Sequence, residues 1–213
     1  MIVDDHPAIR DAIKDTISLK MDMEVVGEAD SSYEAFQLIQ KFSPDVAIVD
    51  ISLTDGHGLD LVQNIRIQYP DVVVIVFSMY DESVYAERAI RAGASSYLMK
   101  SESTQTVVEA IRTVMRGEIY LSRQMASRIL SKVAVGRSTT PGFAIDELTD
   151  REMSVFQMLG QGHSVEEITD RLSLSRKTVE TYRRRAKEKL GFDTVAELLQ
   201  YAVQWTHAQG ERV

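Results

Sequence analysis

Acidic, hydroxyl and ammonium side chains follow short apolar runs at four places in the first hundred residues. The residues directly after these runs are Asp4 and Asp5, Asp50, Ser78 and Lys100. Runs of this kind are typical of strands buried on both faces of a parallel sheet. Because the carboxyl ends of parallel strands meet at one edge, where ligands bind, we expect these side chains to gather there. A single such residue is usually a cap or a loop residue, but the matching set argues against that interpretation.

The gathered residue types indicate a particular chemistry. Clustered carboxylates repel one another unless a cation joins them, and Mg²⁺ prefers oxygen ligands while keeping several waters. We expect Asp5 and Asp50 to bind Mg²⁺, with Asp4 orienting the ion through a water. The Asp50 carboxylate can attack phosphorus to give an aspartyl phosphate. Lys100 and Mg²⁺ would then neutralise the phosphoryl oxygens, and the Ser78 hydroxyl would donate to one of them.

The elements that must position these residues alternate regularly along the chain. Apolar runs predict strands over residues 2–3, 23–29, 46–50, 72–77 and 96–99. Helical spacing predicts helices over residues 8–20, 33–42, 59–68, 82–92 and 104–116, with Ser32 as the N-cap of the second. Five strands that alternate with five helices predict an α/β fold with a doubly wound parallel sheet.

Composition restricts the class of protein further. The 213 residues suggest one large or two small domains, and an apolar content of 44% is sufficient for globular cores. No apolar run approaches the roughly 20 residues that a membrane span needs. The first five residues lack the basic and apolar regions of a signal peptide. Without cysteine, disulfides and thiolate metal sites are excluded. We therefore expect a cytoplasmic protein without membrane contacts.

Charge is distributed unevenly along the chain. The net charge is −8, but residues 1–120 alone carry 10 basic and 20 acidic residues. Residues 176–189 carry 7 basic and 2 acidic residues. An acidic front and a locally basic back indicate two domains with different partners.

The last third of the chain predicts a helical domain. Capping boxes begin at Thr149, Ser164 and Thr194, and each opens a helical pattern. A further basic helix over residues 176–190 ends before Gly191. This layout of four helices contains a helix-turn-helix, with Ser173-Leu174-Ser175 as its turn. Residues 117–135 have the spacing of a helical connector, and 136–142 have the composition of a flexible linker.

Residues 1–116 resemble the flavodoxin-like receiver domain of two-component response regulators. The matching residues are the acidic pair Asp4-Asp5, Asp50, Ser78, Tyr97 and Lys100. The resemblance implies that Asp50 is the phosphorylation site, that Ser78 and Tyr97 form the switch, and that a histidine kinase is the phosphoryl donor. It also implies that the Ser52 backbone carbonyl contacts the metal. His6 and His57 flank the site, and we interpret both as loop residues rather than ligands.

Residues 145–213 resemble the LuxR-type helix-turn-helix domain, and the whole chain resembles the NarL/FixJ subfamily of response regulators. The matching motifs include Ser175-x-Lys177-Thr178-Val179 and Lys189-Leu190-Gly191. The basic helix fits the major groove, and Glu180, Thr181 and Arg184 match the family's base-reading positions. The predicted DNA contacts are Lys177, Thr178, Glu180, Thr181, Arg183, Arg184, Lys187 and Lys189. The predicted dimer face of the last helix, over residues 195–205, is Leu198, Leu199, Tyr201, Ala202 and Trp205. For about half of these last residues, the core of the domain is an equally good interpretation.

We therefore expect a receiver domain at 1–116, a connector and linker at 117–144, and a DNA-binding domain at 145–213. The expected protein is a phosphorylation-controlled transcriptional regulator and not an enzyme. The only reactions expected of it are its own phosphorylation and dephosphorylation at Asp50. Its expected cofactor is Mg²⁺. Its expected partners are a histidine kinase, double-stranded promoter DNA and a second copy of the chain on activation, with RNA polymerase as a candidate.

Two alternatives remain open at this point. The first is a regulator of the same fold that binds DNA or protein without phosphorylation. The second is a phosphohydrolase that passes through an aspartyl phosphate, which is disfavoured because Ser52 supplies no second carboxylate as acid or base.

Overall fold

A computed structural model describes residues 1–127, 130, 145, 147–172 and 174–210. The chain forms two compact units, residues 1–136 and 137–213. The predicted linker at 136–142, the connector beyond residue 127 apart from Leu130, and Ser173 of the predicted turn lie outside the described residues. Within the described part, none of the helices combines the length and apolar composition that crossing a bilayer requires.

The first unit is built on a five-stranded parallel sheet, whose strands are β1 (Ile2–Val3), β2 (Glu28–Ala29), β3 (Val46–Val49), β6 (Val73–Ser78) and β7 (Ser96–Met99). Their order in the sheet is β2-β1-β3-β6-β7. A separate antiparallel hairpin consists of β4 (Ser52–Leu53) and β5 (Gly56–His57). The helices are α1 (Pro7–Ser18), α2 (Ser32–Phe42), α3 (Gly58–Gln68), α4 (Glu82–Ala92) and α5 (Thr104–Val114). The predicted doubly wound α/β fold is confirmed.

Apolar residues of the strands divide between the two faces of the sheet. Ile48, Ile75 and Phe77 join buried residues of α1 and α5 in one cluster. Because successive strand side chains point to opposite faces, Val49 and Val76 point away from that cluster, to the side opposite α1 and α5. Both faces are therefore covered, which explains why these strands are continuous apolar runs.

Strand β2 is shorter than the sequence predicted. The prediction covered residues 23–29, but the strand contains only Glu28–Ala29. Its partner β1 offers two residues, so that Ile2 pairs with Glu28 and Val3 with Ala29. Met23 and Val25 are apolar because they pack against the core cluster, not because they belong to a ladder. The N-cap of α2 is likewise Ser31 rather than Ser32, since its side chain accepts from the Glu34 N–H.

The segment after α5 continues to pack on the first unit. The Tyr120 N–H donates to the Ser95 carbonyl at 3.0 Å, and Tyr120 packs against the core cluster. Ser122 donates its hydroxyl to Glu82 at the start of α4 and caps the turn that leads to Met125. The first residues that we expected in a helical connector therefore touch both β7 and α4.

The second unit contains the helices α6 (Asp150–Gly160), α7 (Val165–Arg171), α8 (Arg176–Lys189) and α9 (Val195–Gly210). The three predicted capping boxes are confirmed. In each, the cap hydroxyl accepts from the N–H of a glutamate whose carboxylate accepts from the cap N–H. Helix α6 is the centre of the unit: Phe156 is buried and contacts the rings of Tyr201 and Trp205 on α9.

An ion pair between a buried carboxylate and a partly exposed ammonium group joins α6 to the end of α8. The Glu152 side chain is 3% exposed, and its Oε2 lies 2.6 Å from Lys189 Nζ. Burial opposes the charge of this carboxylate, but hydrogen bonds from Lys189 and from the Thr149 backbone outweigh burial and hold the pKa of Glu152 below its usual range. The Lys189 ammonium also donates to the Glu147 carbonyl at 3.1 Å.

We predict that Glu152→Gln destabilises the second unit by about 1–3 kcal/mol at neutral pH, because it removes a charged hydrogen bond from a buried site. Trp205 is the only tryptophan, so its fluorescence during urea unfolding reports on this unit. Since the native pKa is lowered, the difference from wild type should be complete above the ordinary value of 4.5 and shrink as pH falls through the native pKa. Glu147→Gln, which keeps the carbonyl acceptor, is the matched control. A difference that is absent, or constant down to pH 3, would contradict this account.

Candidate functional site

Four strand ends bring the predicted site residues together. Asp4 follows β1, Asp50 follows β3, Ser78 ends β6 and Lys100 follows β7. The Asp50 N–H donates to the Val3 carbonyl at 2.8 Å, and the Lys100 N–H donates to the Ser78 carbonyl at 2.7 Å. The backbone ladder therefore fixes the separation of these residues before their side chains interact.

The Lys100 ammonium joins two buried carboxylates. Its Nζ lies 2.6 Å from Asp4 Oδ2 and 2.7 Å from Asp50 Oδ2. Burial opposes the lysine charge, but the two aspartates outweigh burial and raise the pKa of Lys100 above its ordinary value. For Asp50, burial is the largest influence and raises its pKa to about 6, although Lys100 acts in the opposite direction. A further positive charge beside Asp50 would therefore stabilise its ionised carboxylate.

A divalent cation fits the remaining ligand atoms. Oxygens of Asp4, Asp5 and Asp50 and a ring nitrogen of His6 lie within 4.8 Å of one another. The buried Asp50 Oδ1 accepts no hydrogen bond from the described residues. Three carboxylates face one ammonium group, so this oxygen-rich site carries the negative charge that Mg²⁺ binding requires.

His6 has contacts of its own beside this cluster. Its side chain is 62% exposed, and Nδ1 lies 2.6 Å from Asp5 Oδ1 and 3.3 Å from Asp4 Oδ1. Its backbone N–H also donates to Asp4 Oδ1 at 2.9 Å. His6 is the N-cap residue of α1, and its interpretation as a loop residue rather than a ligand stays a prediction.

The loop after Asp50 is more ordered than its sequence suggested. Ser52 and His57 pair across the hairpin β4–β5, and the Gly58 N–H donates to the Ile51 carbonyl at 2.7 Å. Both carboxylate oxygens of Asp55 accept backbone N–H groups at the start of α2, from Ser32 at 2.8 Å and Tyr33 at 3.0 Å. Asp55 therefore ties the hairpin to a neighbouring helix. The sequence predicted a loop here from its glycines, but gave no sign of this cap.

Gly58 allows the closest approach in this loop. A Cβ atom there would lie 1.9 Å from the Asp50 carbonyl oxygen, a distance that no side chain can adopt. By contrast, a Cβ at Gly56 would meet only the Ser32 hydroxyl, at 3.3 Å. Gly58 thus positions the backbone that follows Asp50, and its proximity to the site was not apparent from the sequence.

Ser78 and Tyr97 are linked through one backbone segment. Ser78 Oγ accepts from the Tyr80 N–H at 3.3 Å, and the Tyr97 hydroxyl donates to the Tyr80 carbonyl at 2.8 Å. Both Ser78 and Tyr97 are buried. The Tyr80 ring packs on Tyr85 of α4 at a centroid distance of 4.8 Å. A change at Ser78 or Tyr97 therefore acts on the segment that leads directly into α4.

We predict that Gly58→Ala abolishes Mg²⁺ binding at the site, because the displaced backbone moves Asp50 and the hairpin apart. Gly56→Ala is the matched control and should bind the ion as wild type does. Isothermal titration with Mg²⁺ measures both, and the sheet's circular dichroism verifies folding. Equal affinities for the two variants would mean that Gly58 does not position the site.

A second candidate site lies on α8 in the other unit. Ser175 caps this helix by accepting from the Thr178 N–H at 3.1 Å, and the Leu174 N–H donates to the Thr169 carbonyl of α7 at 3.0 Å. Val179 and Ala186 are buried, whereas Lys177, Arg184 and Arg185 are exposed. Two short helices joined by a tight turn, the second basic on its outer side, have the layout of a helix-turn-helix.

Ion pairs distinguish among the cations of α8. Arg176 contacts Glu180 at 3.2 Å, and Arg184 contacts Glu188 at 2.8 Å, one turn apart in each case. Lys187 donates to the Asp193 carbonyl at 3.0 Å, while Lys189 is held by Glu152 as described above. Lys187 and Lys189, predicted as DNA contacts, therefore already stabilise the domain.

The residues of the predicted dimer face on α9 differ in their burial. Leu198 and Ala202 are fully buried, so these two residues belong to the core of the domain and the prediction is corrected for them. Tyr201 and Trp205 are half-buried against Phe156. Leu199 is also half-buried.

The sheet with its lysine-bridged carboxylates and the separate helix-turn-helix define a signalling protein that binds DNA. Residues 1–112 match the response regulator receiver domain, and residues 146–202 match the bacterial regulatory proteins of the luxR family. The chain belongs to the NarL/FixJ response regulators, phosphorylation-controlled regulators of transcription that combine these two domains.

Individual relatives agree with this assignment. The chain is 31% identical to the oxygen regulatory protein NreC of Staphylococcus carnosus over 95% of each protein. It is 33% identical to the response regulator GacA of Pseudomonas aeruginosa, over 95% of this chain and 94% of that protein. Among solved structures, RcsB of Salmonella enterica serovar Typhimurium, bound to promoter P1flhDC with phosphomimetic BeF3⁻, is 25% identical. The TM-score is 0.62, covering 94% of this chain and 96% of RcsB.

Proposed function

We propose that Asp50 accepts a phosphoryl group from the phosphohistidine of a histidine kinase, and that this modification controls DNA binding by the second unit. The observation that carries the proposal is the buried bridge from Lys100 to Asp4 and Asp50. It leaves Asp50 Oδ1 without a hydrogen bond from the described residues and surrounds it with the ligands for a cation.

The transfer forms one bond and breaks another. A carboxylate oxygen of Asp50 forms the bond to phosphorus as the bond from phosphorus to the histidine nitrogen breaks, and the electron pair leaves with that nitrogen. Lys100 stays charged and donates to the phosphoryl oxygens. Ser78 donates its hydroxyl to another of them. The chain's own chemistry is limited to forming and losing this aspartyl phosphate.

Mg²⁺ is the proposed cofactor. Asp5, the Asp50 carboxylate and the Ser52 backbone carbonyl would hold it, with Asp4 acting through a water. When bound, the ion neutralises charge on the transferred group. The charge balance of the site supports this assignment, because its carboxylates outnumber its single lysine.

Ser78 and Tyr97 are the proposed switch. Once Ser78 turns its hydroxyl to the phosphoryl group, its contact with the Tyr80 N–H is given up. The Tyr97 hydroxyl, which donates to the Tyr80 carbonyl, then determines the position of the backbone around Tyr80. Two alternative arrangements of one segment provide the bistable element that a phosphorylation switch requires.

We predict that acetyl phosphate labels the wild-type chain only with Mg²⁺, and that Asp50→Ala is not labelled. Intact-mass spectrometry of the full chain measures the added phosphoryl group. Asp71→Ala, an exposed aspartate after α3, is the matched control and should be labelled as wild type is. Labelling of Asp50→Ala, or labelling in excess chelator, would rule out this site or its cation.

The second unit is proposed to bind promoter DNA through α8. The proposed contacts are Lys177, Thr178, Glu180, Thr181, Arg183 and Arg184, with Lys187 and Lys189 kept for the fold of the domain. Exposed cations on the outer side of α8 supply the attraction to phosphates. RcsB, which shares this fold, has been solved on promoter DNA and as two dimers bound to two parallel DNAs.

Dimerisation on activation is proposed to use the outer side of α9. Val195, Leu199 and Val203 recur every four residues, which places them on one side of the helix. Val195 and Val203 are exposed apolar side chains, unlike the buried Leu198 and Ala202. We place the pairing surface on this stripe, with Tyr201 and Trp205 at its margin. RNA polymerase is a further proposed partner, and the cytoplasm the proposed location.

We predict that Arg184→Ala and Arg185→Ala affect DNA binding differently. Arg184 is on the side opposite Val179, where a guanidinium can grip guanine, worth roughly 1–3 kcal/mol of discrimination. Its loss should lower affinity for a specific duplex more than for a scrambled one. Arg185 is an exposed cation outside the base-reading positions and is proposed as a further phosphate contact, so Arg185→Ala should weaken binding to both duplexes equally and flatten the salt dependence by about one unit. Fluorescence anisotropy at several salt concentrations measures this, and equal losses with Arg184→Ala would exclude base reading by that residue.

A regulator that works without phosphorylation is the second candidate function. It predicts equal DNA affinity with and without the phosphodonor. The gathering of Asp4, Asp50, Ser78 and Lys100 at one edge favours the phosphorylated regulator, because a fold alone does not require buried charges there. The hydrolase is disfavoured by Ser52, which offers no carboxylate beside Asp50.

A further inference from the structure

The basic helix α8 carries a carboxylate near its start. Glu180 is the fifth residue of α8, and its Oε1 accepts from Arg176 Nε at 3.2 Å. Arg176 in turn donates from Nη1 to Glu166 of α7 at 2.6 Å. One guanidinium therefore bridges two helices and holds Glu180 from one side.

Glu180 lies beside the residues that face away from the domain. The buried Val179 and Ala186 mark the inner side of α8. With 100° between successive residues, Lys177, Thr181 and Arg184 lie on the opposite side, and Glu180 is about 40° from Arg184. In helix-turn-helix proteins the first turns of the second helix contact base edges. A carboxylate at this place enters the groove with its neighbours.

The chemistry of the major groove restricts what this carboxylate can face. Guanine presents two acceptors there, thymine presents an acceptor and a methyl group, and adenine presents an acceptor beside its amino group. Cytosine presents only an amino donor. An ionised carboxylate has no proton to donate, so acceptors repel it and cytosine alone offers a donor without an adjacent acceptor on the same base.

We propose that Glu180 reads the amino group of a cytosine and thereby fixes a C·G pair in each half-site of the operator. This inference rests on the proposed DNA binding through α8. Arg176 is the positioning residue: its charge offsets the repulsion between Glu180 and the phosphates, and its contact with Glu166 limits the directions that the carboxylate can take.

The test is selection from a library of randomised duplexes with the full chain, beryllofluoride and Mg²⁺. Wild type should enrich a motif in which one C·G position is preferred by roughly tenfold. Glu180→Gln should change that position to A·T, because an amide both accepts and donates and therefore suits adenine. Glu180→Ala should lose preference at that position alone. Asp170→Asn, the same change of charge on the exposed side of α7, is the control and should enrich the wild-type motif.

Two results overturn the inference and are distinguishable. If both Glu180 variants enrich the wild-type motif with every position unchanged, Glu180 does not read a base, while the proposed DNA binding stands. If wild type enriches no motif, the proposed function fails and the inference fails with it. Titration of wild type with duplexes that differ only at the C·G pair gives the same answer without variants: equal affinity for all four pairs would refute it.

Discussion

The charge balance around Lys100 is the constraint on which the first unit depends. One ammonium group satisfies one oxygen each of Asp4 and Asp50, and all three side chains are almost completely buried. Removing one partner of a buried ion pair costs roughly 3–5 kcal/mol, a large part of the 5–15 kcal/mol that stabilises a typical domain. The sheet therefore holds the site in place, and the ion pairs of the site in turn hold the ends of the strands together. A cation or a phosphoryl group that binds here must change the contacts of Lys100 with Asp4 and Asp50, and this change alters the contacts at the edge of the sheet.

Direct contacts connect that response to the segment that follows α5. Ser78 and Tyr97 both bind the backbone of Tyr80, whose ring packs on α4. At its first turn α4 also accepts the Ser122 hydroxyl from the segment that follows α5. A local change in hydrogen bonding at the phosphoacceptor thus reaches the start of the connector through residues in direct contact. This is the physical basis on which the proposed control of DNA binding is built.

Sequence patterns predicted the sheet, its order of elements and the capping boxes, because these depend on local periodicity and on residues three positions apart. These patterns failed to predict features in which a residue contacts a partner that is distant in the sequence. Residues 23–29 look like a strand, but the length of β2 is set by the two residues of β1. Asp55 caps a helix more than twenty residues earlier in the chain. Lys189 appeared to be one more cation of a basic helix until Glu152 was found beside it.

The sequence predicted the site at the sheet edge better than it predicted the roles of the residues on α9. The strand ends predicted the gathering of Asp4, Asp50, Ser78 and Lys100, since parallel topology brings such ends together. On α9, by contrast, apolar residues at helical spacing serve both the core and an outer stripe. Only burial separates Leu198 and Ala202 from Val195 and Val203. Similarly, composition cannot show that Arg176 and Arg184 are paired with carboxylates on the same helix.

The central claim is that phosphorylation of Asp50 controls where the chain binds DNA. Genome-wide binding of the wild-type chain beside Asp50→Ala, at equal cellular amounts and with Asp71→Ala as control, tests it most directly. The account predicts that wild type and the control occupy the same set of promoters, and that Asp50→Ala loses most of that occupancy. Identical occupancy by wild type and Asp50→Ala would contradict it.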